Sequence, residues 1–253
     1  MERSLRRSIA RIGTIGIVLC CFLPVASART ARADYAAGLH AYQEGDFATA
    51  LREFKAAATP ESCYKVGTMY DNGLGVDESK SEALSWYRMA AGKGSDLAQY
   101  RLGEMYENGR GVEANAQEAV TWYRKAAEQG LAIAQYNLSQ MYLAGKGVSQ
   151  NRQEAARWLK KSAIMGNMKA QFDVARMYQA GEGVAPDLTE AAKWYRRAAE
   201  QGHAKAQFAA GNMYLGGVGV KADMAEARRW LQKAAEQGHQ RAQMILDQLG
   251  PGP

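Results

Sequence analysis

The nine residues WYRKAAEQG stand at 122–130, and near copies stand at 194–202 (WYRRAAEQG) and 230–238 (WLQKAAEQG). The copies begin 72 and then 36 positions apart, so both separations are multiples of 36. Self-similarity at a fixed period of this length is typical of an array of small stacked units. This stretch therefore predicts a chain built from one small structural unit that is used several times.

The spacing of 36 also holds for other residue types over five successive copies. A Gly-x-Gly pair recurs from Gly73/Gly75 to Gly217/Gly219, without a slip in register. Large aromatic side chains at fixed repeat positions are predicted to form the core between neighbouring units. These predicted core residues are Trp86, Trp122, Trp158, Trp194, Trp230, Tyr70, Tyr106, Tyr142, Tyr178 and Tyr214.

One copy contains two helices. Ala98, Leu102 and Tyr106 fall on one face at helical spacing, and Gly109-x-Gly111 follows with the glycines that end helices. A second helix then starts at a residue of N-cap chemistry, with a glutamate three residues later in the first turn, where the helix dipole favours it. These N-cap positions are Ser79, Asn115, Asn151, Asp187 and Asp223.

The units predict an all-α fold, a right-handed α-solenoid of stacked antiparallel helix pairs, because one pair cannot bury its apolar faces alone. Residues 34–61 form a variant first unit, in which Ala50, Phe54 and Pro60 follow the pattern of a tetratricopeptide repeat. The predicted repeats are 62–97, 98–133, 134–169, 170–205 and 206–241, and residues 242–253 are predicted to be a capping helix and tail.

The first 33 residues have the layout of a secretory signal peptide. An arginine-rich start precedes the apolar run 12–25, and small residues then mark two cleavage sites, after Ala28 or after Ala33. The apolar run is too short to span a membrane. We therefore expect a secreted or periplasmic protein, without stable membrane insertion after cleavage.

The charge of the mature chain gives no sign of nucleic-acid binding. The formal net charge is +6, but residues 1–33 alone hold six arginines and one glutamate, so the remainder is close to neutral. No run of lysine and arginine with interleaved aromatic residues occurs in the sequence. We expect no nucleic-acid partner.

The motifs resemble those of a known family. Leu102-Gly103-x2-Tyr106, Gly109-x-Gly111, Ala119-x2-Trp122-Tyr123 and Ala126-Ala127-x2-Gly130 look like the Sel-one-like repeat, a relative of the tetratricopeptide repeat, over roughly residues 62–245. The resemblance implies a non-catalytic adaptor in signalling, secretion or envelope-polysaccharide systems. One subfamily is rich in disulfides and includes members described as penicillin-binding or weakly hydrolytic. This chain departs from it, because Cys63 is its one cysteine after residue 33.

Catalytic and metal-binding patterns are weak. Ser62-x-x-Lys65 matches the first motif of serine β-lactamases, but the companion motifs are absent, and other copies carry alanine at the position of Ser62. His203 and His239 share one repeat position, which places them too far apart to share a metal, and we interpret both as surface residues at helix joints. We expect no catalytic residue, no metal site and no cofactor.

The variable positions of the first helix indicate a binding surface. In related solenoids the first helix lines the concave face, and residues there that do not pack are available to a ligand. Solvated drift is the alternative explanation. The predicted partner-binding residues are Lys65, Thr68, Arg101, Glu104, Asn137, Gln140, Asp173, Arg176 and Asn212.

The sequence therefore favours an exported, non-catalytic adaptor that binds a protein partner through its concave face, in an envelope signalling or secretion system. A β-lactamase-like envelope hydrolase and a scaffold in exopolysaccharide export remain alternatives. Concave tyrosine or tryptophan would favour the glycan scaffold, but the repeated aromatic residues are expected in the core.

Overall fold

A computed structural model describes residues 23–250 as helices joined by short turns. Thirteen α-helices and no strand occur in this range, and none of its helices is long and apolar enough to cross a membrane. The helices are α1 Leu23–Gln43, α2 Phe47–Ala57, α3 Pro60–Asn72, α4 Lys80–Gly92, α5 Asp96–Asn108, α6 Ala116–Glu128, α7 Ala132–Ala144, α8 Arg152–Ile164, α9 Met168–Ala180, α10 Leu188–Glu200, α11 Ala204–Gly216, α12 Met224–Glu236 and α13 Gln240–Leu249.

The chain divides into two compact units, Met1–Gly94 and Ser95–Pro253. In the described part of the first unit, α1 packs on α2, α2 on α3 and α3 on α4. In the second unit each helix from α5 to α12 packs on the next helix along the chain. The all-α solenoid architecture of stacked helix pairs is therefore confirmed. The first helix of each repeat is α3, α5, α7, α9 or α11, and the second helix is α4, α6, α8, α10 or α12.

The predicted N-caps of the second helices are confirmed. Each of the five side chains accepts a hydrogen bond from a backbone N–H of the first turn, which satisfies a donor that has no partner inside the helix. Asn115 Oδ1, for example, accepts from the amides of Gln117 and Glu118 at 3.1 Å. The repeated glutamate also lies in the first turn of all five helices.

The Gly-x-Gly pair meets two separate needs in the third repeat. Gly145 ends α7 in the left-handed conformation, with φ of 68°. Gly147 also has positive φ, and a Cβ placed there would lie 2.2 Å from the carbonyl oxygen of Ala116, in the second helix of the preceding repeat. The second glycine therefore allows close backbone contact between neighbouring repeats.

The repeated aromatic residues differ in burial. Three tryptophans of the second unit, Trp158, Trp194 and Trp230, are buried, whereas Trp122 is half-buried. Trp86 of the first unit is half-buried, as are all five tyrosines of the series that begins at Tyr70. Small residues complete the core, since Ala126, Ala198 and their counterparts are fully buried.

The predicted signal peptide falls mostly outside the description, because residues 1–22 are not part of it. Residues 23–33 belong to α1, so the two expected cleavage sites, Ala28 and Ala33, lie in that helix. The helix of the first repeat begins at Pro60, two residues before the predicted boundary. The helix of the predicted cap, α13, begins at Gln240, two residues before the predicted boundary, and residues 251–253 lie outside the described range.

Candidate functional site

An open groove of about 480 Å³ runs along the first helices of the second unit. Side chains of α7, α9 and α11 supply most of its wall, and α8 and α10 contribute one residue each. Its volume is in the range of ordinary ligand sites. The groove is lined by Gln140, Leu143, Leu159, Phe172, Asp173, Arg176, Met177, Gln179, Ala180, Glu182, Tyr195, Lys205, Phe208, Ala209 and His239.

Two phenylalanine rings of the groove stack on histidines. The Phe172 and His203 ring centroids are 4.5 Å apart, and the Phe208 and His239 centroids are 4.2 Å apart, with nearly parallel planes in both pairs. Phe172 also packs against Tyr195 at 5.7 Å. These aromatic contacts hold apolar surface at fixed positions in a groove that is otherwise polar.

The two histidines also cap helices. His203 Nδ1 accepts the backbone N–H of Ala206 at 3.2 Å, and His239 Nδ1 accepts that of Ala242 at 3.4 Å. An accepting Nδ1 requires the neutral imidazole with its proton on Nε2. Burial lowers the pKa of His203, while the nearby carboxylate of Asp173 opposes that shift. His203 is therefore held in the neutral form that the cap needs.

Asp173 is a half-buried acid in the wall of the groove. Its Oδ2 accepts the hydroxyl of Tyr136 at 3.2 Å. Burial raises the pKa of this carboxyl, although the Tyr136 hydrogen bond and the charge of Arg176 favour the ionised form. Burial, with the charge of Asp173, also raises the pKa of Tyr136 to about 12, so the phenol stays a donor at neutral pH.

Two exposed cations lie beside these groups. Arg176 and Lys205 make no ion pair with any carboxylate at salt-bridge distance in residues 23–250. Across the groove, the Tyr195 hydroxyl donates to Gln179 Oε1 at 2.7 Å. Amides, both signs of charge and aromatic rings thus meet in one groove, as suits an extended peptide with mixed side chains.

Three of the predicted partner-binding residues lie together in this groove, namely Gln140, Asp173 and Arg176. Asn212 is half-buried in α11 but does not line it. Asn137, in α7, is half-buried and lies close enough to the hydroxyls of Tyr100 and Tyr123 to affect their pKa.

The other predicted positions have local partners. Arg101 forms an ion pair with Glu104 at 2.8 Å, and the same carboxylate accepts the Tyr100 hydroxyl at 2.8 Å. In the first unit, Thr68 Oγ1 donates to the backbone carbonyl of Lys65 at 2.7 Å. Lys65 lies over the ring of Tyr42 at 5.4 Å. These residues are engaged within their own units and outside the groove.

Several groove residues were missed by the sequence reasoning. Phe172 and Phe208 belong to an aromatic series at the repeat spacing, which also includes Tyr64, Tyr100 and Tyr136. This repeated aromatic position was the sequence signal from which Phe172 and Phe208 could have been predicted. His203 and His239 do lie at helix joints, as predicted, because they are the N-caps of α11 and α13, but the prediction that they are surface residues is wrong, since both are half-buried and stacked.

The geometry at Ser62 does not suit a nucleophile. The side chain is fully buried, and its hydroxyl donates to the carbonyl of Thr59 at 3.1 Å. Cys63 is likewise buried, and burial raises the pKa of its thiol, which lowers its reactivity. Within residues 23–250 no group of His, Cys, Asp and Glu could hold a metal ion.

The stacked histidines already cover one face of each groove phenylalanine, which reduces the surface available for stacking on a sugar.

Comparison with known proteins identifies the family to which the repeats belong. Among curated proteins no sequence match was found. The Sel1 repeat model, which describes the Sel-one-like repeat named above, matches residues 60–95, 96–131, 132–167, 169–203 and 204–239. These segments cover well over half of the chain.

Two solved structures resemble the chain over most of its length. One is c5321, a protective antigen of uropathogenic Escherichia coli with an SLR fold, at 36% identity and a TM-score of 0.82. That match covers 87% of this chain and 48% of the antigen, so the chain spans about half of its length. The other is a Sel1 repeat protein of Oxalobacter formigenes, at 33% identity and a TM-score of 0.75, covering 80% of this chain and 84% of that one. This chain belongs to the Sel1 repeat family.

Proposed function

We propose that this protein is a non-catalytic adaptor that binds an extended segment of a protein partner in the groove of its second unit. Sel1 repeat proteins are generally non-catalytic scaffolds that bind other proteins. The groove, rather than the wider row of first-helix positions, is the proposed contact surface. Gln140, Asp173 and Arg176 are the predicted partner-binding residues that take part in it.

The observation that carries the proposal is that two exposed cations without an ion pair lie beside the stacked phenylalanines. Arg176 and Lys205 are exposed, whereas Phe172 and Phe208 are half-buried at fixed positions. A peptide can place an acidic side chain against the cations and an apolar side chain against the rings. Asp173 supplies a carboxylate for a backbone N–H or a basic side chain of the same peptide.

The proposed site of action is the cell envelope. An arginine-rich, apolar N-terminal segment supports export, and the adaptor would then regulate or support an envelope signalling or secretion system. N-terminal sequencing of the protein recovered from its producing cells tests this. A mature chain that starts at Arg29 or Asp34 supports export, and a chain that keeps residues 1–28 contradicts it.

Peptide selection tests the groove directly. A phage-displayed random-peptide library is selected on the mature chain, and the enriched peptides are titrated against the double variant Arg176→Glu/Lys205→Glu. We expect at least about a tenfold loss of affinity, because reversal of two contact charges opposes an acidic ligand. Lys221→Glu is the control, since Lys221 is exposed and lies outside the groove. Equal binding by all three proteins, or no enrichment, would contradict the proposal.

A further inference from the structure

Glutamine pairs connect helices of the second unit at regular intervals. Gln201 donates to Gln171 at 2.7 Å, and Gln237 donates to Gln207 at 2.7 Å. The same pairing joins Gln129 to Gln99 at 2.8 Å. In each case the donor follows the end of a second helix, and the acceptor lies near the start of the first helix of the same repeat.

The third repeat of the family match lacks this pair. Gln135 is the acceptor there, and its amide nitrogen donates to the carbonyl of Ala127 at 3.1 Å, which fixes the orientation of the amide. The donor position carries Met165 instead of glutamine. Gln135 Oε1 is buried and has no hydrogen-bond partner among residues 23–250. An unsatisfied buried acceptor is unfavourable for folding. Methionine at position 165 therefore leaves the third repeat without the hydrogen bond that stabilises the other pairs.

The same change exposes apolar surface. Where three other repeats read Ala-Ala-Glu-Gln, this one reads Ser162-Ala163-Ile164-Met165. Ile164 is 64% exposed and Met165 is 62% exposed, the two highest values among the exposed large hydrophobic residues. Ile133 is 43% exposed and lies at the start of α7. Ser162 Oγ, near the end of α8, donates to the carbonyl of Ala132 at 2.6 Å, so Ile133 is at the same end of the helix pair as Ile164. Ile133, Ile164 and Met165 form what we call the α8 patch.

Two exposed lysines without an ion pair precede the apolar end of α8. Lys160 Nζ donates to the Tyr178 hydroxyl at 3.2 Å, and Lys161 Nζ lies 4.3 Å from the centroid of the Trp158 ring, so the partners of both charges are neutral groups. Lys160 and Lys161 precede Ile164 by four and three residues, so they share its face of the helix. At the equivalent place in α10, Arg196 pairs with Glu200 at 3.5 Å. Ile164 replaces that glutamate, and neither lysine forms an ion pair with a carboxylate in residues 23–250. This repeat therefore carries an apolar side chain where three others carry a glutamate.

We infer that the α8 patch is a second docking surface, for an acidic amphipathic segment of a protein partner. Such a segment would supply the missing carboxylates to Lys160 and Lys161 and cover Ile164 and Met165 with its own apolar side chains. A second copy of this chain fits poorly, since its own α8 patch would bring lysines against lysines. The inference does not depend on the groove, whose residues are different ones.

Fluorescence anisotropy with a defined probe tests the inference. The probe is a labelled helical peptide with a glutamate face and a leucine face, and the control peptide has lysine in place of glutamate. The full chain should bind the first peptide and not the second. The double variant Ile164→Glu/Met165→Gln restores the residues found in three other repeats, so it should fold, and it should bind about tenfold more weakly. Lys221→Glu, at an exposed position outside both the groove and the α8 patch, should leave this binding unchanged.

A reverse exchange completes the test. Glu200→Ile/Gln201→Met places the counterparts of Ile164 and Met165 at the end of α10, beside Arg196 and Arg197, and should increase binding of the acidic peptide. Equal binding by the chain and its Ile164→Glu/Met165→Gln variant would overturn the inference. Binding to vesicles of anionic lipid, with none to the acidic peptide, would also overturn it and assign the patch to a membrane surface.

Discussion

Phe172 stacks on His203 with 4.5 Å between the ring centroids, and the same imidazole caps α11 through Nδ1. One histidine therefore links the wall of the groove to the start of a helix. Protonation of Nδ1 would place a donor against the amide of Ala206 and remove the cap. The groove of the second unit is accordingly sensitive to the charge of His203.

As the pH is lowered, the stability of the protein should decrease more steeply when His203 is present than when it is replaced. Its pKa is lowered in the folded state, so its contribution is complete above pH 6.5 and is lost as the pH falls through the folded pKa. His203→Asn keeps a capping acceptor that does not titrate. Between pH 7 and pH 5, the urea midpoint of the original chain should fall further than that of this variant.

The comparison isolates His203, although Asp173, Lys169 and Lys205 also act on its charge, since all three remain in both proteins. A cap of this kind contributes about 1 kcal/mol, which sets the size of the expected difference. Parallel pH profiles for the two proteins would show that the imidazole is not the titrating cap.

Asp173→Asn should stabilise the protein at neutral pH and weaken the groove. The raised folded pKa means that burial penalises the charged carboxylate, so this penalty is absent below the unfolded pKa and grows as pH rises through the folded pKa. The amide oxygen can still accept the Tyr136 hydroxyl. Thermal unfolding at pH 7 should give a higher midpoint, whereas groove-selected peptides should bind more weakly. A lower midpoint would contradict this assignment of the charge.

Gly147→Ala should destabilise the protein by about 2 kcal/mol or more, because the new Cβ meets the Ala116 carbonyl and φ is positive. Gly166→Ala is the matched control. Gly166 also has positive φ, but nothing lies within 4 Å of an added Cβ, so only about 1 kcal/mol is expected. Urea unfolding measures both losses. Equal losses would mean that close contact between repeats adds nothing to the need for glycine.

Met165→Gln should stabilise the protein by about 1 kcal/mol, because the new amide can donate to the orphan Gln135 Oε1. The opposite exchange, Gln201→Met, removes the donor to Gln171 and should cost about 1–3 kcal/mol. Free energies of unfolding from urea titration check both values. A loss of stability in Met165→Gln would show that the methionine packs usefully where it stands.

Much of the fold could be predicted from the sequence, because the repeat shows each structural signal five times. The N-caps from Ser79 to Asp223 and the helix-ending glycines act locally, so spacing alone was enough to locate them. The exact repeat boundaries were less certain, since α3 begins at Pro60 and caps differ between copies.

The groove was only partly predictable. Arg176 and Asp173 change between copies, and this variation placed them on the free face of the first helix. Phe172 and Phe208 were not found, because an aromatic residue at helical spacing is ordinarily a core residue. Their stacking on His203 and His239 depends on contacts between successive repeats, and spacing within one helix carries no information about those contacts.

The most direct test of partner binding in the groove is site-specific photo-crosslinking in the producing cell. A photoreactive amino acid replaces Lys205 in the groove or, as a control, the exposed Lys221 outside it. The proposed function predicts a discrete covalent complex with another protein from position 205 and none from position 221. Equal labelling from both positions, or labelling from position 221 alone, would contradict it.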